Sequence, residues 1–150
     1  MSSSLMKKIP GGDQAPYIGA LLRLGHRAAR ARLLEALAER GFGDINEAYF
    51  GLFQYPAIDG MRPSALAKQL GISKQALNHL LGRLEKRGYL ERRDDKASGH
   101  IVIRYTARGW QVFESNIATI LQLEAEWQRR LGKPRFAELK QTLRELTGLS

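Results

Sequence analysis

The feature that most constrains the fold is a three-residue turn between two predicted helices. The first helix can begin at residue 62 with Pro63 in its first turn, where a missing amide proton costs nothing, and it runs to residue 70. Gly71 can then adopt the left-handed conformation that ends a helix, Ile72 can turn into the core, and Ser73 can cap a second helix that runs to about residue 87. Two helices joined by such a glycine turn predict a helix-turn-helix.

The segment after this pair, residues 89–105, changes from helical to strand periodicity. Gly88 ends the second helix, a polar tip covers residues 94–99, and the β-branched run Ile101-Val-Ile103 follows it. This pattern predicts a two-stranded hairpin, so the expected fold is mainly α (α+β), a winged helix-turn-helix with long helices on both sides. The length of 150 residues fits one domain over residues 1–150.

The second helix of the pair has one apolar face and one face that suits a nucleic acid. Leu77, Leu80, Leu81 and Leu84 follow the i, i+3, i+4, i+7 pattern and are expected to point inward. The opposite face then carries Gln75, His79, Gly82 and Lys86, flanked by Asn78 and Arg83. It has no carboxylate, whereas an ordinary surface helix is expected to mix Glu with Lys.

These side chains match the groups that a DNA major groove presents. Gln and Asn can bind adenine through two hydrogen bonds, Arg can bind guanine in the same way, and Lys74 or Lys86 can neutralise phosphate. Gly82 would permit close approach at a cost in helix propensity of roughly 1 kcal/mol. The alternative for Gly82 is tight packing against another helix.

The charge of the chain is concentrated around the same segment. Lys and Arg number 24 against 15 acidic residues, which gives a formal net charge of +9. Residues 62–110 contain 11 of these cations and only four of the acids. A localised basic region favours a polyanionic partner, although a solvated face is the ordinary explanation of a charge run.

The hairpin contributes cations of its own: Arg92, Arg93, Lys96, His100 and Arg104. Neighbouring side chains of a strand point to opposite faces, so only one of Arg92 and Arg93 is expected to reach phosphate. We predict that Arg93 and Lys96 contact DNA, and that Arg92 pairs with a neighbouring carboxylate of Glu91, Asp94 or Asp95. The full set of predicted DNA-binding residues is Ser64, Ser73, Lys74, Gln75, Asn78, His79, Gly82, Arg83, Lys86, Arg93, Lys96 and His100.

Helical patterns flank this lobe on both sides. A long amphipathic helix is predicted over residues 15–40, and a shorter one over residues 45–55, begun by an Asp44-x-x-Glu47 capping box and stopped by Pro56. The apolar and aromatic side chains of the shorter helix are expected in the core: Ala48, Tyr49, Leu52, Phe53 and Tyr55. Thr106 is predicted to cap a helix that runs to about residue 131, and Lys133-Pro134 opens a last one.

Several classes of function are disfavoured by what the sequence does not contain. Cysteine is absent, the three histidines lie on separate elements, and no metal-ligand or phosphate-loop spacing occurs, so we expect no enzyme, metal or cofactor. Residues 1–10 include two lysines but no apolar stretch after them, and no later stretch is long enough to span a bilayer. We therefore expect a cytoplasmic protein with a frayed N-terminus and no membrane partner.

Three segments together carry a family resemblance. Leu66-Ala-Lys-Gln-Leu-Gly-Ile-Ser-Lys-Gln-Ala-Leu-Asn, Leu84-Glu-Lys-Arg-Gly-Tyr-Leu-Glu-Arg and Arg104-Tyr-Thr-Ala-Arg-Gly109 resemble the MarR family. The resemblance implies a homodimeric repressor that binds a pseudo-palindromic operator in double-stranded DNA. It also implies dimerisation helices at about residues 15–40 and 107–147 and a DNA-binding lobe at about residues 44–105.

The resemblance further implies a small aromatic or phenolic effector bound between the dimerisation helices and the DNA-binding lobe. Candidate ligand-binding residues are His26, Arg30, Tyr49, Phe53 and Trp110. For the aromatic members a place in the core is the favoured alternative, and His26 is more often an ordinary exposed or satisfied histidine than a ligand contact.

The hairpin tip departs from the family pattern, which commonly carries an Asp-Arg pair there. This chain has Asp94-Asp-Lys-Ala-Ser-Gly99, and Lys96 lacks the planar fork of arginine, so minor-groove insertion is not assured. The rival to DNA binding is a winged helix used for protein interaction or for structured RNA. The carboxylate-free face argues against protein interaction, which would favour exposed apolar anchors.

Overall fold

The computed structural model describes residues 11–149 and arranges most of them in helices. The five α-helices among them are α1 (Ile18–Glu39), α2 (Pro63–Leu70), α3 (Lys74–Lys86), α4 (Ala107–Leu131) and α5 (Lys133–Leu146). Strands β1 (Leu90–Asp95) and β2 (His100–Tyr105) form an antiparallel hairpin in which Leu90 pairs with Tyr105 and Asp95 with His100. Two short 3-10 helices cover Gly12–Gln14 and Glu47–Leu52. The expectation for residues 1–10 lies outside the described residues.

The turn between α2 and α3 has the predicted chemistry. Gly71 ends α2 with φ 68°, a left-handed conformation. The Ser73 hydroxyl accepts a hydrogen bond from the Ala76 amide at 3.0 Å and so caps α3. Ile72 packs against the core between them. The helix-turn-helix is therefore confirmed at the level of its individual caps.

The segment after α1 differs from the prediction. Residues 47–52 form a 3-10 helix rather than an α-helix over 45–55, and Asn46 caps it by accepting from the Ala48 amide at 2.9 Å. Asp44 does not act as the cap, because its carboxylate accepts a hydrogen bond from the Tyr89 hydroxyl. Tyr55 is 83% exposed, and Ala48 is exposed as well, so both core assignments are wrong.

The core joins the hairpin base to the helices through aromatic side chains. Phe53 stacks on Tyr105 with ring centroids 5.5 Å apart, and Tyr89 meets Phe53 edge-on at 6.1 Å. The buried Tyr105 hydroxyl donates to the Leu52 carbonyl oxygen, and burial raises the pKa of this phenol. These contacts fix the wing, which is the hairpin of β1 and β2, relative to the helices.

The first turn of α4 also packs closely against the backbone at the base of the hairpin. The Thr106 hydroxyl caps α4 by accepting from the Gly109 amide at 3.2 Å. A Cβ atom added at Gly109 would lie 2.0 Å from the Tyr89 carbonyl oxygen and 3.2 Å from the Tyr105 Cβ. Only glycine fits between α4 and the residues at the base of the hairpin.

The long helices α1 and α4 pack against each other and hold polar side chains between them. Arg32 donates two hydrogen bonds to the Glu126 carboxylate, at 2.7 and 2.9 Å, and this pairing lowers the pKa of Glu126. Arg40 donates to the Ser115 carbonyl oxygen at 3.1 Å. None of the helices formed by residues 11–149 has the length and hydropathy required to cross a membrane.

Candidate nucleic-acid interface

Helix α3 presents the two faces that its sequence predicts. Leu77, Leu81 and Leu84 are buried, and Leu80 packs against the same core. The opposite face exposes Gln75, Asn78, His79, Arg83 and Lys86. Space is open at Gly82, since a Cβ atom placed there would have no contact within 4 Å. Packing of another part of the described chain against Gly82 is therefore the wrong explanation of that glycine.

The N-terminal ends of α2 and α3 form a shallow depression beside this face. Pro63, Ser64, Lys74, Leu77 and Asn78 line a cavity of about 210 Å³. The structure thus brings Ser64 next to the start of α3. One lysine and one hydroxyl beside two helix N-termini suit a phosphate group.

The pairing of the wing arginines is different from the predicted one. Arg93 forms an ion pair with Glu91 at 2.7 Å, and its side chain stays 65% exposed. Arg92 instead reaches α3, where its Nε donates to the Glu85 carboxylate and its Nη1 donates to Asn78 Oδ1 at 3.2 Å. The predicted partners of Arg92, the carboxylates of Glu91, Asp94 or Asp95, were therefore wrong, because the partner lies on another element.

The tip of the wing is ordered by its own turn. The Gly99 amide donates to the Asp95 carbonyl oxygen at 2.8 Å, and hydrogen bonding to Ser98 lowers the pKa of the Asp95 carboxyl group. Lys96 and His100 are exposed at this tip. Lys96 therefore adds a positive charge to the exposed surface of the wing.

Arg104, at the base of the wing, is held by a carboxylate. Its Nη1 donates to Asp59 Oδ2 at 3.0 Å, while Asp59 Oδ1 accepts from the Tyr105 amide at 2.8 Å. The backbone of Ile103 also exchanges hydrogen bonds with Gly60 and Met61, at 2.7 and 2.8 Å. Arg104 therefore serves to fix the hairpin to the loop before α2.

A second polar cluster, built from residues outside the predicted site, holds the loop after α1 to the hairpin. Arg108 lies over the Tyr89 ring at 4.5 Å and donates to its hydroxyl at 3.0 Å. Arg87 donates to the Asp44 carbonyl oxygen at 2.8 Å. Burial and the Asp44 carboxylate raise the pKa of Tyr89 to about 12. No local pattern predicts this cluster, because Asp44 and Tyr89 are 45 residues apart.

The candidate effector residues are dispersed between core and surface. Tyr49 and Phe53 are buried core residues, which is the alternative that the sequence left open, and His26 is exposed on α1. Arg30 donates to the Glu47 carbonyl oxygen at 3.1 Å and lies over the Phe50 ring. Trp110 is partly exposed and meets Tyr105 edge-on at 4.9 Å.

Two cavities beside the long helices are lined by other residues. One of about 190 Å³ lies between α1 and α4, and its lining is Arg32, Glu35, Ala36, Glu39, Thr119 and Gln122. The other, of about 300 Å³, is lined by Trp127, Arg130 and Leu131. Within residues 11–149 no three His, Asp or Glu side chains lie close enough together to hold a metal ion.

Helix, glycine turn, exposed second helix and hairpin together define a winged helix-turn-helix protein. The sequence model of the MarR family matches residues 56–99, which run from the loop before α2 to the tip of the wing. Over 87% of its length the chain also has the fold of a solved structure of MarR, at a TM-score of 0.69. No curated protein is similar enough in sequence to match it.

Three solved structures illustrate the likeness. The reduced form of MarR from Escherichia coli is 24% identical with a TM-score of 0.69, over 87% of this chain and 96% of that one. A Mycobacterium tuberculosis MarR family protein in complex with p-aminosalicylic acid is 25% identical with a TM-score of 0.61, over 87% and 98%. CouR from Rhodococcus jostii, bound to p-coumaroyl-CoA, is 17% identical with a TM-score of 0.65, over 88% and 92%.

Proposed function

We propose that this protein is a sequence-specific DNA-binding transcription regulator, a repressor that binds a pseudo-palindromic operator as a homodimer. The observation that carries the proposal is the exposed face of α3, which offers amide, imidazole and cationic groups around the open position at Gly82. Glu85, the nearest carboxylate of α3, is already paired with Arg92. A helix with this surface fits the donor and acceptor pattern of the major groove.

The homodimer is supported by apolar side chains that the single chain leaves exposed. Helix α1 exposes Ile18 at 67%, together with Leu21 and Leu22, and the C-terminal segment exposes Leu146 and Leu149. Apolar side chains clustered at both ends of one chain favour burial against a second copy. Two copies related by a twofold axis would place two α3 helices on half-sites about one helical turn, roughly 10 base pairs, apart.

Phosphate contacts are assigned to exposed cations and hydroxyls around α3 and the wing. The set comprises Ser64, Ser73, Lys74, Lys86, Arg93, Lys96 and His100, and the base contacts are assigned to Gln75, Asn78, His79 and Arg83. With several phosphate contacts from each protomer, affinity is expected to fall about a thousandfold or more between 50 and 200 mM salt.

An effector of the aromatic acid class is part of the proposal. Two of the similar structures contain p-aminosalicylic acid and p-coumaroyl-CoA, which both combine an aromatic ring with an acyl group. For such a molecule we assign Arg30 as the cation, Trp110 as a partly exposed ring and His26 as an exposed imidazole. Contact with Tyr49 or Phe53 would require the core to open.

The test is selection of duplexes from a random library, followed by titration of the selected sequence at several salt concentrations. We expect enrichment of an inverted repeat and a steep loss of affinity with salt. Lys133→Ala is a control that removes one positive charge from α5, outside the predicted DNA-binding residues, and it should leave the affinity nearly unchanged. Failure to enrich any sequence would refute the proposal. Preference for structured RNA over every duplex would favour the rival function. Release of the selected duplex by one of a set of aromatic acids would identify the effector class.

A further inference from the structure

A cavity at the C-terminal end of α4 combines an aromatic ring, an aliphatic side chain and a cation. Among residues 11–149 its lining consists of Trp127, Arg130 and Leu131, and its volume is about 300 Å³. These positions are i, i+3 and i+4 on one helix, so the three side chains lie side by side on one face of α4. Trp127 and Leu131 are half-buried, whereas Arg130 is exposed. The cavity therefore has apolar walls with a positive charge beside them.

Arg130 has no carboxylate partner within the described part of the chain. Glu126 lies one turn before it on α4 and would be its ordinary i, i+4 partner. Glu126 instead accepts two hydrogen bonds from Arg32 of α1, at 2.7 and 2.9 Å. The pairing of α1 with α4 thus uses that acid and leaves the Arg130 guanidinium group available to a ligand.

The sequence around Arg130 carries an excess of positive charge. Residues 127–137 contain four cations and no acidic residue. The partial negative charge at the C-terminus of α4 offsets only about half an elementary charge of this excess, and the N-terminus of α5 at Lys133 adds a partial positive charge. A charge run alone is typical of a solvated face, but this one borders apolar surface. The combination favours an anion whose body is apolar.

The chemistry of the lining side chains defines the class of ligand. The planar indole of Trp127 favours a flat ring that stacks on it or meets it edge-on. The guanidinium group of Arg130 favours a carboxylate, which it can bind through two parallel hydrogen bonds. A volume of about 300 Å³ is at the lower end of the range for small-molecule sites, roughly 300 to 1,000 Å³, and suits a molecule with a single ring. A lone phosphate would leave the apolar walls uncovered.

We propose that this cavity is a binding site for a small aromatic carboxylate, with the ring on Trp127 and Leu131 and the carboxylate on Arg130. It is separate from Arg30 and Trp110, the residues assigned to the effector. Trp110 and Trp127 are 17 residues apart on α4, which corresponds to roughly 25 Å along the helix, so one single-ring molecule cannot contact both. The inference goes beyond the proposed function, because binding at this site requires neither DNA nor the effector residues.

The experiment uses the two tryptophans of the chain as separate reporters, with benzoate as the probe. Trp110→Phe retains fluorescence from Trp127 alone, and Trp127→Phe retains it from Trp110 alone. In Trp110→Phe without DNA, we expect benzoate to change the emission of Trp127 along a saturable curve. Benzamide has the same ring without the negative charge, and it should bind about tenfold more weakly or worse because the charge-assisted hydrogen bonds are lost.

Two arginine variants test the role of the cation. Arg130→Met should weaken benzoate binding at Trp127 about tenfold or more. Arg129→Met is the matched control, because it removes the same charge from the neighbouring position of α4, which does not line the cavity, and it should leave binding nearly unchanged. Equal binding by the wild type and Arg130→Met, or equal weakening by both variants, overturns the inference.

Three further outcomes are decisive. A benzoate response of Trp110 alone would overturn the inference in favour of the residues already assigned to the effector. Emission of Trp127 that changes with protein concentration but not with benzoate would also overturn it, since a second copy would then cover the cavity. If Trp110→Phe does not fold, calorimetric titration of benzoate decides: heat of binding that is present in the wild type and Arg129→Met but lost in Arg130→Met supports the site. Failure to select any duplex would refute the proposed function and leave this binding result unaffected.

Discussion

The close approach at Gly109 leads to a quantitative prediction about stability. Replacing Gly109 with alanine puts a methyl group 2.0 Å from the Tyr89 carbonyl oxygen, whereas an ordinary contact of this kind is above 3 Å. The two backbones would have to separate by about 1 Å. The Tyr89 carbonyl cannot move alone, because it accepts from the Thr106 amide at 3.1 Å and its residue lies in the aromatic core.

The expected cost follows from comparing two terms. Overpacking that forces backbone shifts typically lowers the free energy of unfolding by about 1 to 3 kcal/mol, and a rigid backbone contact belongs at the upper end. In the opposite direction, the higher helix propensity of alanine raises the free energy of unfolding by at most about 1 kcal/mol. We therefore expect Gly109→Ala to lower the free energy of unfolding by about 2 kcal/mol, which corresponds to a fall in Tm of about 4 to 8 °C.

Gly82→Ala is the matched control, since it makes the same substitution inside α3 where nothing lies within 4 Å of the new methyl group. It should raise the free energy of unfolding by up to about 1 kcal/mol while weakening DNA binding. Urea unfolding followed by circular dichroism, at equal protomer concentration, measures both variants. If Gly109→Ala were as stable as the wild type, the backbone approach of α4 to Tyr89 would be disproved.

Three further predictions concern the wing and its base. Tyr89→Phe should reduce the loss of stability between about pH 10 and 12. The pKa of Tyr89 is raised to about 12 in the folded state from about 10 in the unfolded state, so the wild type has the full stabilisation by the protonated phenol below pH 10 and loses it as the pH rises. Unfolding measured at stepped pH checks this, and identical profiles for the two proteins would contradict it. Tyr105→Phe should lower the free energy of unfolding by about 1 to 3 kcal/mol in urea titrations, because it leaves a buried carbonyl without its donor; an unchanged midpoint would contradict this. Lys96→Ala should weaken binding to all duplexes about equally, whereas Gln75→Ala should alter sequence preference, and gel shifts on a panel of single-base variants would expose a reversal of these roles.

The parts of the fold that depend on neighbouring residues could be predicted from the sequence. The turn at Gly71 and the caps at Ser73 and Thr106 are decided within four residues, and each forms as expected. The inward face of α3 follows from the period of its leucines for the same reason. Local chemistry was sufficient wherever a backbone group finds its partner inside the same turn.

The predictions that failed depend on partners far along the chain. Aspartate is a residue type that commonly caps helices, but the Asp44 carboxylate accepts a hydrogen bond from the Tyr89 hydroxyl, 45 residues away. Asn46 caps the 3-10 helix instead. Arg92 has three carboxylates within a few residues and pairs with Glu85 on another element. Gly109 lies in a segment that resembles the family, but the steric need for glycine there follows only from the position of the Tyr89 carbonyl oxygen in the folded chain.

The structure also changes which DNA contacts are expected from the wing and which from α3. Of the wing arginines, Arg92 and Arg104 form ion pairs with Glu85 and Asp59, and a minor-groove contact by either would have to break its pair. Lys96 at the tip is a point charge without the planar fork that favours insertion, and it suits the phosphate backbone. Under the proposed function we therefore expect discrimination between bases to depend mainly on α3, which the wing contacts through the hydrogen bond from Arg92 to Asn78.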